Sequence, residues 1–206
     1  MKPKYTMTVE QNVAVAKRNI TGYIWDSANL SGIDISYPDT ETIVYGVSVA
    51  GMKVDDMIAI YKLRQAWRFL LENVGKPTDY PFICELNRKV CGTKAQPDMH
   101  MDSQLQDVLA IDGATDKALT LMLYIMRKQM FFDGNKRTAM LAANHVMIAN
   151  GAGIITIPIK QQNGFRNLLI EFYESGDMEN IKAFLYEHCI DGIDFPHEPV
   201  QEPEMQ

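Results

Sequence analysis

An acid, a glycine, an amide and two cations stand side by side at Asp133-Gly134-Asn135-Lys136-Arg137. Residues of these types in this order could hold a metal ion and a phosphate. A carboxylate such as Asp133 ligates a divalent cation through oxygen. Gly134 lets backbone approach a ligand closely. A helix that starts at Asn135 would turn unpaired N–H groups and partial positive charge toward an anion. Lys136 adds a point charge, and Arg137 a planar fork that matches phosphate oxygens. The alternative is a polar helix–helix turn whose charges are merely solvated, because short motifs match by chance.

Two apolar helices would have to position such a cradle. Thr115 to Gln129 is strongly apolar and reads as a central helix, and Asn135 to Asn150 is the next, closed by Asn150-Gly151. Upstream, apolar residues recur at helical spacing from Val9 to Ser27, then Gly32, Ser36 and Pro38 break the pattern. Thr40 to Tyr45, Asp55 to Val74 and Phe82 to Val90 read as helices, the second with an acidic start and a Gly75 stop. Thr93 to Met101 reads as loop, and Gln104 to Ile111 as a short β-hairpin. Ile154 to Ile159 is β-branched but carries Pro158, which predicts an extended linker rather than a sheet strand. Asn163 to Glu174 and Met178 to Cys189 complete the helices. The expected fold is an all-α domain over residues 1–193, with an N-terminal extension (1–50), a core (55–190) and a disordered tail at 194–206.

Composition narrows the class. The 206 residues suit one domain, and 47% hydrophobic content supports a sizeable core. A net charge of −6 argues against a nucleic-acid face, which needs clustered Lys and Arg. The basic run from Lys62 to Arg68 reads as a solvated helix face. No stretch reaches the ~20 apolar residues of a membrane span, and Met1 to Tyr5 has no apolar segment behind it to make a signal peptide. Three cysteines, Cys84, Cys91 and Cys189, form no C-x-x-C pair and read as free thiols of a reducing, cytoplasmic setting.

The run Gln129-Met-Phe-Phe-Asp-Gly-Asn-Lys-Arg-Thr-Ala-Met140 resembles the core motif of Fic-domain proteins, H-x-F-x-[DE]-G-N-[GK]-R-x-x-R. Phe131, Asp133, Gly134, Asn135 and Arg137 fall on matching positions, and Lys136 is the variant of the Doc-like branch. Ser27 to Ser36, then Asp39-Thr40, is similar to an N-terminal element of the family, S-S-x-I-E-G-N-x-L-T, expected to pack on the site. The resemblance implies a Fic-like helical fold with a hairpin flap, placed at Gln104 to Ile111. It also implies transfer of AMP, or in the Doc branch a phosphoryl group, from a nucleotide to a hydroxyl of a target protein. Mg2+ would sit on Asp133, and ATP would place its phosphates on Gly134, Asn135, Lys136 and Arg137.

Three positions depart from the pattern. Gln129 replaces the histidine that the resemblance makes a general base, and an amide does not titrate near neutral pH. Ser31 stands where the family has an inhibitory glutamate, and Met140 where it has the arginine that pairs with that acid. Losing only one of that pair would strand a charge near a partly buried site, whereas losing both removes the cost. His145, in the helix after the cradle, reads as a packing residue rather than a relocated base. These departures leave two functions open: a transferase with altered activity, or a non-catalytic module that binds a nucleotide or a protein partner. Oligomerisation is compatible with either.

Overall fold

A computed structural model describes residues 1–92 and 103–195. The first helix, α1 (Val9–Leu30), opens on a reciprocal cap: Thr8 Oγ1 accepts from Gln11 N–H (3.1 Å) and Gln11 Oε1 accepts from Thr8 N–H (2.8 Å). It ends in a Schellman motif, with Ile33 N–H donating to Ala28 O and Gly32 N–H to Asn29 O. Gly32 takes the left-handed conformation that this stop requires (φ 89°). The motif fixes the place of Ser31, the α1 C-cap.

Helices α2 (Tyr37–Val44) and α4 (Tyr80–Cys91) both start earlier than the apolar spacing predicts. Pro38 and Pro81 sit in their first turns, where a missing N–H costs nothing, so here proline begins a helix instead of breaking one. Ser36 and Asp79 cap them. Between them runs α3 (Val54–Glu72), which lacks a side-chain cap but carries Asp55 and Asp56 against its positive end.

Gln104 to Ile111 is not a hairpin. The segment forms α5 (Ser103–Leu109). Leu105 is fully buried, and Val108 and Leu109 pack beside it, the i, i+3, i+4 spacing of a helix stripe rather than the alternation of a strand. The expected Thr93–Met101 loop lies outside the described residues, as does the tail from residue 196.

The core is built on α6 (Ala114–Lys128) and α7 (Asn135–Ala149), which pack on each other more extensively than any other helix pair. From Ala118 to Met126 every α6 residue is buried, and so is every α7 residue from Thr138 to Ile148. A helix apolar on all sides belongs in the interior. His145 is fully buried there, 2.6 Å from Thr78 Oγ1 through Nδ1 and 3.1 Å from Asn73 O through Nε2, with its ring against Phe82. Burial lowers its pKa. It ties α7 to the α3–α4 connection, the packing role expected of it.

A small antiparallel sheet pairs β1 (Ile154–Ile155) with β2 (Ile190–Asp191), so the segment read as a linker is in part a strand. Pro158 lies past the paired residues and interrupts nothing. Helices α8 (Gln162–Ser175) and α9 (Glu179–His188) connect the two strands. Two buried asparagines fasten the first strand: Asn144 accepts from Ile155 N–H and donates to Ile155 O, and Asn12 does the same to Gly153. The architecture is all-α with one two-stranded sheet. Among the described residues no helix is long and apolar enough to cross a membrane, and the three cysteines are free.

Asp26 on α1 is 8% exposed and accepts from Thr156 Oγ1 at 2.8 Å. Desolvation raises its pKa to about 6. A carboxyl that binds its proton more tightly folded than unfolded stabilises the fold at low pH and loses that contribution as pH rises from about 4 through about 6. Asp26→Asn keeps an acceptor for Thr156 without the charge. The variant should match wild type at pH 4 and exceed it at pH 8 by up to about 2–3 kcal/mol, read from urea unfolding at both pH values. A constant difference between variant and wild type would contradict this account.

Candidate active site

The connection between α6 and α7 runs Gln129-Met-Phe-Phe-Asp-Gly134, and one side chain organises it. Asn135 accepts from Phe131 N–H (2.9 Å) and donates to Phe131 O (2.6 Å), closing the loop on itself. Its Nδ2 also donates to Gln129 Oε1 at 3.2 Å. Both ends of the Asn135 amide therefore serve the loop, and its contribution at the cleft is a backbone N–H. The clamp buries Met130 and Phe131, each 3% exposed, and leaves Phe132 in solvent.

Gln129 is the C-cap of α6 and the only non-glycine at positive φ (50°) among the described residues. A glutamine in the left-handed region carries a backbone cost of order 1 kcal/mol. Two hydrogen bonds hold it there, Nε2 to Met126 O and Oε1 from Asn135. An amide does not take up a proton near neutral pH, so Gln129 supplies no base here.

Gly134 is the N-cap of α7, also left-handed (φ 75°), and no side chain caps this helix. The N–H groups of its first turn have no intrahelical partner by geometry and open onto a cleft of about 200 Å³. Ser31, Gln129 and Phe132 to Arg137 line it. A Cβ on Gly134 would lie 2.5 Å from Cys91 Sγ and 3.1 Å from Val90, so the turn also needs glycine for space.

Arg137 reaches back one turn to Asp133, Nη2 lying 3.3 Å from both carboxylate oxygens. The Asp133 side chain is 68% exposed and that of Arg137 14%. An i,i+4 pair of this kind contributes only about 0.3–0.5 kcal/mol. Arg137 can therefore be re-aimed at an anion, and Asp133 at a cation, at small cost.

The structure thus brings Ser31, Gln129, Asp133, Gly134, Asn135, Lys136 and Arg137 to one cleft. The end of α1 reaches the site, as the N-terminal element was expected to do. Ser31 Oγ is shielded from solvent and has no hydrogen-bond partner among the described residues. Met140 is elsewhere: it is 5% exposed in the α7 core and does not line the cleft. A neighbouring cleft of about 330 Å³ shares Ser31, Asp133 and Arg137 and adds Asp55, Asp56, Lys62 and Cys91.

Sequence reasoning missed three supports. Asn87 is 1% exposed and donates to Asp133 O (2.9 Å) and Thr138 Oγ1 (3.0 Å), which fixes the turn from α4. Cys91 packs under Gly134, where burial first and then the Asp133 charge push its thiol pKa up. Lys62 donates to Cys91 O at 3.0 Å and caps α4, so the run read as a solvated face begins with a working residue. The farther end of that run, Arg68, is solvated and pairs with Glu72. No local signal in the sequence marks Asn87 or Cys91; both are made relevant by α4 crossing the loop.

A family model described as Fic/DOC family matches residues 53–147, a span that contains the loop and both flanking helices. This part of the chain, just under half of its length, is similar to the Fic/DOC family. Its fold is similar to that of Fic-1 from C. elegans, with a TM-score of 0.71 at 20% identity over 86% of this chain for one variant of that protein. A second Fic-1 structure gives 0.68 at 20% identity over 85%. A Fic domain containing signaling protein from Bacteroides thetaiotaomicron gives 0.67 at 16% identity, covering 83% of this chain and 81% of that one. This chain spans 62% of each of the two Fic-1 chains. Among curated proteins, none matches.

Gly134→Ala should destabilise the protein by about 2–4 kcal/mol, from the left-handed backbone and the clash with Cys91. Adding Cys91→Ala should recover part of that loss in urea unfolding, because it removes the clash and leaves the backbone cost. Strictly additive losses would show that Sγ is not what the new methyl meets.

Proposed function

We propose that this Fic-like protein binds a nucleoside phosphate, ATP in the first instance, together with Mg2+ at the N-terminus of α7, and that it transfers AMP or a phosphoryl group to protein hydroxyls only slowly. The binding half rests on the cradle. Uncapped first-turn N–H groups, Lys136 and a loosely paired Arg137 converge on one cleft, an arrangement suited to phosphate.

Asp133 fits the metal this reading requires. Mg2+ takes one or two carboxylates and completes its octahedron with water and phosphate oxygens. Asp133 offers one exposed carboxylate, and among the described residues no group of three ligating side chains forms a protein cage. When bound, the ion would neutralise phosphate charge. The protein's own part is to hold the phosphates on the α7 N–H groups and Arg137, and to seat the ion on Asp133.

Slow transfer rests on a single observation: both ends of the Gln129 amide are engaged, with Met126 O and Asn135 Nδ2. Where the family resemblance places a base, this chain has an amide that does not titrate and is tied to its own loop. Phosphoryl chemistry depends mainly on positioning and charge stabilisation, so loss of the base slows a reaction by about 10²–10⁴-fold without excluding it.

Calorimetry with Mg2+–ATP should show binding that Arg137→Ala weakens by about 10- to 100-fold, the worth of a charge-assisted hydrogen bond. Absence of binding by wild type would sink the reading.

With α- and γ-labelled ATP, Gln129→His should raise label transfer to protein by about 10²–10⁴-fold. The gain should appear as pH rises through about 6.5, where the imidazole becomes a free base. Label on the α-phosphate identifies AMP transfer, and on the γ-phosphate phosphoryl transfer. Wild type that already matches the variant would mean another residue supplies the base, and the protein would then be an ordinary transferase.

A further inference from the structure

Phe132 is 93% exposed, more than any other large apolar side chain among the described residues. Its exposure follows from the loop: the Asn135 clamp fixes the Phe131 backbone and buries that ring, and the next residue is turned outward. Folding has no use for an aromatic ring in that position. Phe132 nevertheless lines the same cleft as Lys136, Arg137 and the uncapped start of α7. Every other residue lining that cleft is polar or glycine.

The cleft therefore has an anion-binding end and one flat apolar surface at its lip. A ligand that satisfies both carries phosphate and a planar ring. We propose that Phe132 is the stacking platform for the base of the nucleotide whose phosphates sit on α7. The inference rests on the nucleotide-binding reading above and adds to it the residue that makes a nucleotide bind better than a bare polyphosphate. Every base has a π-face, so stacking is tolerant of base identity. Phe132 adds affinity for purine nucleotides in general and does not separate ATP from GTP.

The test compares Mg2+–ATP, Mg2+–GTP and Mg2+–tripolyphosphate on wild type, Phe132→Ala and Phe132→Trp. Since the side chain packs on nothing, neither substitution should disturb folding, and unchanged thermal unfolding verifies this. Phe132→Ala should weaken ATP and GTP alike, by about 5- to 150-fold, and leave tripolyphosphate unchanged. Phe132→Trp should keep nucleotide affinity, and its indole emission should change with ATP but not with tripolyphosphate. If ATP and tripolyphosphate both bind and Phe132→Ala alters neither, the stacking role is overturned while the cradle stands; the exposed ring is then a contact for a protein partner. If wild type binds neither ligand, the cradle reading falls and this inference with it.

Discussion

The site depends on one buried amide. Asn135 pins both the N–H and the C=O of Phe131, and without it two backbone groups in a buried turn would lose their partners, at about 1–3 kcal/mol each. That clamp sets the direction of the chain between α6 and α7. Phe131 goes into the core, Phe132 into solvent, and the backbone is delivered to Gly134 in the left-handed turn that starts α7. The protein uses the same device twice more, with Asn144 on Ile155 and Asn12 on Gly153. In each case a side-chain amide supplies the two hydrogen bonds that a neighbouring strand would otherwise give, which lets irregular backbone lie inside a helical fold.

Around that turn the charges are arranged to be available rather than locked. Asp133 and Arg137 neutralise each other across one helical turn, through a 3.3 Å contact on a largely exposed carboxylate. Asn87 holds the Asp133 carbonyl and leaves its carboxylate free. The departures from the family motif leave this arrangement in place. Gln129 is tied to the loop it opens, and the neutral Ser31 lines the cleft with its hydroxyl shielded from solvent. Met140 has joined the core, where an arginine would have to keep its charge hydrated or paired.

Much of the fold was legible in the sequence because its signals are local. Apolar residues at helical spacing marked the long helices, and their stops were legible at Gly92 and at Asn150-Gly151. The errors had local causes too. Pro38 and Pro81 were ambiguous between stopping and starting a helix, and position relative to the cap decides which. Leu105, Val108 and Leu109 fit a helix stripe that a short window did not separate from strand alternation. Ile154–Ile155 became a strand only because Ile190–Asp191, far along the chain, came alongside.

The cradle divides in the same way. Legible in the local chain are the groups present at the loop, the helix start at Asn135 and the inability of Gln129 to act as a base, since residue chemistry and helix geometry are local properties. What those groups do with one another is set by how the helices pack. Asn135 faces its own loop, Cys91 and Asn87 of α4 close the turn from below, the end of α1 brings Ser31 to the cleft, and Met140 points into the core. The reason is that burial and hydrogen-bond satisfaction are decided by elements distant in sequence. A side chain at a given position serves a ligand or the scaffold according to which of them reaches its polar atoms first.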